Sequence, residues 1–403
     1  MSKEHFIKII EEKQLPKNFC VLPFLGLECK TTGEASACCV QQEVAKDKNK
    51  TYNFANDTIT DVFNSEWIKN LRKDFLEDVQ VKSCYNCWDE ERAGLVSKRM
   101  RELIRFEKDI EQSIQEPKIK YLDLKFGNIC NLKCRICTSF ASSKWAEEES
   151  KLGLGHNGAR MIEMGKWPKD NSNFWKDLYK LSDDVEVIEM FGGEPMLLKE
   201  HTFYLQRLVD TGKAKEKLLS YNTNGTQDMS RFYEQWREFK KVQVFFSIDG
   251  IGKRFTYLRH PADWSIVNGN IKHLLESGIE NLEVSFFCSV SAFNIWYLDE
   301  VAEWAQQFPK SGLHWNMVYV PEHYSAKCLP KVAKQRIREH LSQSKFSNQF
   351  SNIIKYIEDT DEDQTLNFIQ FRDWMKKIDE NRNESFVMLF PEYAKALDEF
   401  FRK

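Results

Sequence analysis

No run of apolar residues in this chain approaches the roughly 18 needed to cross a bilayer, which excludes a membrane-spanning helix. An excess of one charge is also missing. Lys and Arg number 58 against 61 Asp and Glu, for a formal charge of -3. A balanced chain gives no global argument for nucleic acid or for a membrane surface as a partner. There is no internal repeat and no low-complexity segment. The first ten residues, MSKEHFIKII, carry charges inside their apolar stretch and lack a small-residue cleavage site. They predict no signal peptide and a cytoplasmic protein. Glycine is absent from Lys331 onward, and that region reads as polar helices interrupted at Pro391.

What is present suffices for folded domains. The 403 residues predict two or three of them. At 42% hydrophobic and 13% aromatic, the composition excludes a wholly disordered chain. Composition divides the chain into a cysteine-rich region over 1–117, an alternating region over 118–330 and a helical extension over 331–403. A charged helical stretch, Glu90 to Gln115, closes the first region and is broken by Pro117.

Eleven cysteines stand out, and all but Cys288 and Cys328 lie at or before Cys137. Structural disulfides are rare in a reducing cytosol, where clustered cysteines more often bind metal or do redox work.

The middle region alternates strand-like and helical segments. Tyr121–Phe126, Val185–Phe191, Leu218–Asn222, Val242–Ile248, Leu282–Val290 and Leu313–Val320 read as strands. The stretches between them, such as His201–Thr211 and Ser265–Ser277, read as helices. This order predicts a parallel α/β sheet or barrel with its ligand site at the C-terminal ends of the strands. The residues with chemistry to offer fall on that rim.

After the first strand come Cys130, Cys134 and Cys137 in a C-x3-C-x2-C pattern. Three thiolates can hold three irons of a cubane cluster, and full protein ligation takes four. The missing ligand leaves one iron open, as in an open catalytic metal site. On spacing alone, zinc with a distant fourth ligand remains open. After the second strand comes FGGEP, where Gly192 and Gly193 permit close backbone approach and Glu194 places a carboxylate on the rim. Read alone, GGEP is equally a tight turn into a helix.

Together these segments resemble the radical SAM superfamily. YNTNG (Tyr221–Gly225) after the third strand and SIDG (Ser247–Gly250) after the fourth add to the likeness. The resemblance covers about Lys118 to Pro330. It implies a partial (β/α)6 TIM-like barrel with a [4Fe-4S] cluster on the triplet. S-adenosylmethionine (SAM) would chelate the open iron through its amino and carboxylate groups. Glu194 and the adjacent glycine backbone would hold the SAM amino group, and Ser247 would lie near its ribose or carboxylate. Thr223 and Asn224 would contact SAM or substrate. Ile136 stands where the family often has an aromatic residue and would pack on the adenine. The resemblance further implies reductive cleavage of SAM to a 5'-deoxyadenosyl radical, hydrogen-atom abstraction from a substrate, and an electron donor such as flavodoxin or ferredoxin.

Cys20, Gly33 and Cys38 follow a C-x12-G-x4-C spacing, and Cys84 and Cys87 come much later. Four thiolates in two distant groups can form a closed tetrahedral site or a fully ligated cluster. The pattern is similar to the twitch or SPASM domains of radical SAM enzymes, although there the domain usually follows the barrel. It implies an auxiliary [4Fe-4S] cluster on Cys20, Cys38, Cys84 and Cys87, with Cys39 as the alternate to Cys38. Similar cluster-bearing enzymes often modify peptides or proteins, so a peptidyl substrate is expected. The alternatives are a dehydrogenase or rearrangement enzyme acting on a small molecule and, from a different class, a zinc-bound interaction module.

Other residues carry weaker signals. Cys288 reads as core, and Cys328 as a small buried hydrophobe. His314 and Asn316 either line the barrel cavity or are satisfied within the core, the latter favoured for His314. The stretch Lys144 to Asp184, with Trp145, Trp167 and Trp175, is a lid or a packed helical excursion.

Overall fold

The strand-like segments of the middle region pair side by side in chain order in the computed structural model, which describes residues 3–155, 157–169, 171–359 and 363–397. The strands are β1 (Gly26–Cys29), β2 (Ala35–Ser36), β3 (Lys46–Asp47), β4 (Lys50–Thr51), β5 (Tyr121–Leu124), β6 (Val187–Met190), β7 (Leu218–Thr223), β8 (Lys241–Ser247), β9 (Leu282–Val290) and β10 (Gly312–Met317). The main sheet runs β10-β9-β8-β7-β6-β5-β1-β2, and β3 pairs with β4 in a separate hairpin. Every neighbouring pair from β1 and β5 through β10 is parallel, and only β2 is antiparallel. Helices cross between successive strands from β5 to β10, as expected of a partial TIM-like barrel.

Side-chain alternation separates the two faces of the sheet. On β8, Val242, Val244 and Phe246 are buried, whereas Gln243, Phe245 and Ser247 are partly open. The buried set faces the crossover helices. On the neighbouring strand Phe286 meets Trp304 of helix Leu298–Ala305 edge-on at 4.7 Å. The other face lines the barrel interior. There Phe245 and Phe287 stack at 4.5 Å, and His314 lies edge-on to Phe287 at 5.2 Å. His314 and Asn316 are exposed on β10, so His314 is not the satisfied core histidine that its strand position favours. A strand at the open edge of a partial barrel has no further strand to cover it.

Two strands from the first 117 residues join the sheet. All four residues of β1 are buried, and Glu28 pairs in register with Asp123, which pairs in turn with Glu189 on β6. Three carboxylates thus stand abreast inside the barrel, a costly arrangement unless each is compensated. Lys125 Nζ reaches Glu28 at 2.6 Å and Asp123 at 2.8 Å. Lys98 and Arg105 reach Glu189 at 2.9 and 3.3 Å. Burial raises the Asp123 carboxyl to about 6, whereas Lys98 and Arg105 outweigh burial at Glu189 and hold it near 2. The helix Lys98–Arg105 therefore closes this side of the barrel with its basic residues.

That helix is one of three where the sequence reads a single helical stretch. Helix Tyr85–Ala93 ends at Gly94, whose φ of +87° suits glycine, and Ser97 caps the next helix through Met100 N. A third spans Ile110–Gln115.

The Lys144 to Asp184 stretch is a packed helical excursion. Trp145 and Trp167 are buried, and Trp167, Phe174 and Phe54 form an aromatic cluster with Phe126 from the end of β5. The C-terminal extension is helical over Lys331–Ser342, Ser347–Glu358, Thr365–Arg382, Phe386–Leu389 and Pro391–Ala396. It packs back on the barrel, with Trp296 stacked on His340 at 4.3 Å and Phe293 edge-on to Phe371 at 4.8 Å. Among the described residues no helix is long and apolar enough to cross a membrane.

Candidate functional site

The loops after β5, β6, β7 and β8 converge on one rim, and their side chains lock to one another. Gly193 has φ +55°, and a Cβ there would lie 2.4 Å from the carbonyl oxygen of Ile129. Gly192 has φ +73°, and a Cβ there would lie 2.7 Å from Cβ of Lys125. Both positions require glycine, for backbone conformation and for room. The close approach is to the cysteine loop itself, and Glu194 N donates to Ile129 O at 2.7 Å.

Glu194 ties β6 to β7. Its Oε1 accepts from Thr223 Oγ1 at 2.7 Å and from Met196 N at 3.2 Å, and its Oε2 accepts from Asn224 N at 2.7 Å. The residue is fully buried, and burial raises its carboxyl above the usual range. Asn224 continues the chain of contacts. Its Nδ2 donates to Asn131 Oδ1 at 2.9 Å and lies 3.9 Å from Cys130 Sγ. Thr226 Oγ1 donates to Asn224 Oδ1 and accepts from Asn131 Nδ2.

The fourth loop approaches from the other side. Asp249 pairs with the buried Arg259 at 2.7 Å, and Arg259 Nη1 lies 4.0 Å from Cys134 Sγ. Ser247 faces the interior beside Asn222, with Oγ 3.4 Å from Asn222 Oδ1. Ile136 is half-buried against the core.

Cys130, Cys134 and Cys137 are free thiols on this rim. Burial pushes Cys130 up to about 12, with the charge of Cys134 next in effect. Cys137 is raised well above the ordinary thiol range by burial, then by Cys134 and Cys130. The three thiols are therefore electrostatic neighbours. Leu132 N, at 3.5 Å, and Asn224 Nδ2 point at Cys130 Sγ, and Arg259 points at Cys134 Sγ. Sulfurs approached by N–H donors suit thiolates that ligate an iron–sulfur cluster, whose properties such bonds tune.

A second group lies in the first 117 residues. Burial raises Cys38 most, followed by the charges of Cys39, Cys84, Cys87 and Cys20. Cys20 is pushed up to about 11 and Cys87 to about 12, both chiefly by burial. Cys84 is raised by burial and then by Cys20 and Cys87. The charges that act on Cys39 are different. After burial, its electrostatic neighbours are Lys98, Asp123, Lys125 and Glu28, the charged row inside the barrel. Cys29 is buried on β1, and burial raises its thiol well above the ordinary range. Among the described residues no set of three or more His, Cys, Asp or Glu side chains is gathered as tightly as a single metal ion requires. Both cysteine groups are neighbours at the longer range of charge–charge interaction. A cubane cluster, with one iron for each cysteine, spans such a range.

Cys288 is fully buried in β9, and Cys328 is buried with Sγ 3.4 Å from His323 O, as their sequence contexts suggest. Sequence reasoning placed Asp249 on the rim within SIDG but missed Arg135 and Arg259. Arg259 has no motif of its own, and only the fold carries it back to Cys134.

The Radical SAM superfamily profile matches residues 124–305, the span from the end of β5 through helix Leu298–Ala305. The chain thus carries a Radical SAM superfamily domain over this span. No curated protein matches the chain. Among solved structures, anSMEcpe with bound AdoMet and Cp18Cys peptide is 18% identical, covers 55% of this chain and 58% of its own, and has a TM-score of 0.37. Streptococcus suis SuiB bound to S-adenosylmethionine is 12% identical, covers 72% and 60%, and has a TM-score of 0.38. SuiB bound to precursor peptide SuiA is 12% identical, covers 76% and 55%, and has a TM-score of 0.35. The chain thus spans little more than half the length of these proteins.

Proposed function

We propose that Cys130, Cys134 and Cys137 hold a [4Fe-4S] cluster that binds SAM, and that the enzyme modifies a peptide or protein substrate. The observation that carries this reading is the meeting of the three free thiols with the Glu194–Thr223–Asn224 chain on one rim. When bound, the cluster supplies one electron for cleaving SAM to methionine and a 5'-deoxyadenosyl radical, which takes a hydrogen atom from substrate.

The chain's own residues bind, orient and exclude water. Glu194 is the buried anion of the rim and the group suited to an ammonium ligand. Its three protein donors fix it in place, so that no reorganisation is needed when ligand arrives. The turn of Gly192 and Gly193 seats the loop after β6 directly against the cysteine loop, which sets Glu194 beside the triplet. Ile136 offers an apolar surface to adenine, and Ser247 a hydroxyl on the interior wall. Arg259 brings positive charge to Cys134, which favours the thiolate.

The auxiliary [4Fe-4S] cluster belongs to Cys20, Cys38, Cys84 and Cys87 on this reading. Their mutual electrostatic neighbourhood supports that set, and the lack of Cys20, Cys84 and Cys87 among the charges acting most on Cys39 favours Cys38. The peptidyl substrate rests on resemblance to cluster-bearing superfamily members. The interior wall of Phe245, Phe287 and Asn316 is compatible with it, offering stacking and amide hydrogen bonds. A one-electron donor such as flavodoxin or ferredoxin completes the cycle.

Anaerobic reconstitution, iron and sulfide counts, and a dithionite-driven assay for 5'-deoxyadenosine test this reading. About eight irons per chain are expected, with SAM cleavage lost in Cys134→Ala. Zinc without sulfide, or cleavage that survives Cys134→Ala, would overturn it.

A further inference from the structure

The cysteine loop is gripped both from within residues 124–305 and from the C-terminal segment beyond them. Its backbone is held by Lys133 N donating to His260 O at 2.6 Å and Arg135 N donating to Leu258 O at 2.7 Å. The two basic side chains that flank Cys134 are held differently, by acidic partners. Arg135 is fully buried, with its guanidinium centre 3.8 Å above the Tyr257 ring. Its Nη2 pairs with Asp379 Oδ1 at 2.7 Å and with Glu384 Oε2. Lys133 Nζ meets Glu148 Oε2 at 2.8 Å, and Glu148 is held in turn by Arg382 at 2.8 Å and Asn381 at 2.9 Å.

The same C-terminal segment covers the third cysteine. Cys137 packs with Trp374 against the small apolar cluster of Trp145, Leu154 and Ile378. Trp145 Nε1 donates to the carbonyl of Cys134 at 3.1 Å, and Arg382 lies 4.8 Å from the Trp145 ring centre. Asp379, Arg382 and Glu384 therefore meet the loop from the end of helix Thr365–Arg382 and the turn after it. All lie beyond residues 124–305, the part matched to the superfamily.

We propose that Trp374 to Glu384 forms a clamp that sets the shape of the cysteine loop, with Arg135 as its positioning residue. Arg135 acts through the backbone on either side of it, which carries Cys134 and Cys137. A buried guanidinium has no water to fall back on, so the loop has one favoured seat while both carboxylates are present. The inference rests on the reading of the triplet as the SAM-binding cluster site.

The test uses the full reconstituted protein with Arg135→Lys, Glu384→Ala and, as a remote control, Glu358→Ala. Glu358 pairs with Arg338 elsewhere in the C-terminal helices. Iron release to a chelator and the electron paramagnetic resonance change on adding SAM are followed, with thermal unfolding of each variant as the folding control. Groups that orient metal ligands change retention by about 10- to 100-fold. Release of the triplet's iron is expected to quicken by roughly tenfold or more in the two clamp variants, with a weakened spectral response to SAM. The iron of the second cysteine group stays put, and Glu358→Ala behaves as wild type. Wild-type release and response in both clamp variants, or the same loss in Glu358→Ala, would refute the clamp. If Cys134→Ala retains all the iron of the wild type, the triplet reading itself fails and takes the clamp with it.

Discussion

The side-chain nitrogen of Asn224 lies 3.9 Å from the sulfur of Cys130. Through it the loop after β7 points an N–H donor at a ligand on the loop after β5. The backbone nitrogen of the same residue is held by Glu194 from the loop after β6. Three rim loops thus meet at one asparagine, and a change there is felt at the cysteine.

Asn224→Asp replaces the donor with a carboxylate of nearly the same shape. Negative charge beside a cluster ligand favours the oxidised state, which carries less negative charge. The midpoint potential of the triplet's cluster is expected to fall, as read by a spectroscopically monitored redox titration. An unchanged or higher potential would show that the amide does not act on Cys130.

Gly193 and Gly212 separate strain from crowding. Both have positive φ, +55° and +70°, but a Cβ at Gly212 meets nothing within 4 Å. Gly212→Ala should therefore cost about 1 kcal/mol in urea unfolding and leave iron content unchanged. Gly193→Ala adds the 2.4 Å contact with Ile129 O and must displace the cysteine loop. It is expected to lose the triplet's iron as well as stability. Equal behaviour of the two variants would mean that the contact is relieved without moving the loop.

The rim was legible in the sequence because its residues sit beside strand ends that alternation reveals. Leu282–Val290 is a strand over the same residues that its pattern marks, and Cys130, Glu194 and Asn224 converge as their positions imply. Strand β1 was not legible. Four residues, the first a glycine, carry too little periodicity, and the partner Tyr121–Leu124 lies beyond several intervening helices. The interior row of Glu28, Asp123 and Glu189 was hidden for the same reason, since it exists only once β1 takes its place in the sheet. Arg135 sits in the CRIC segment with no visible partner, because Asp379 and Glu384 are more than 240 residues away.

The adjacent cysteines 38 and 39 make a sharp pair for the second group. Cys38 has Cys84, Cys87 and Cys20 among its electrostatic neighbours, whereas the charges acting most on Cys39 are those of Lys98 and Asp123. Cys38→Ala is expected to lower iron and sulfide by about four per chain, and Cys39→Ala to leave both unchanged. Loss of iron in Cys39→Ala alone would exchange their roles.

His201 supplies a pH dependence of stability remote from both cysteine groups. It is fully buried, and its Nε2 lies 2.6 Å from the hydroxyl of Tyr221. Burial, with Arg231 as a smaller contributor, lowers its pKa from 6.5 to about 3. The unfolded chain therefore takes up a proton below about 6.5, while the folded chain stays neutral until about 3. The stability linked to this histidine is complete above 6.5 and is lost as the pH falls towards 3. Between pH 7.5 and 5 the loss is about 2 kcal/mol. His201→Phe, which carries no titrating group, should flatten the urea-unfolding profile over that interval by about the same amount. The comparison is of slopes, so the lost hydrogen bond to Tyr221 shifts the whole curve without mimicking the effect. A variant that loses stability as steeply as the wild type would place the acid sensitivity on other groups.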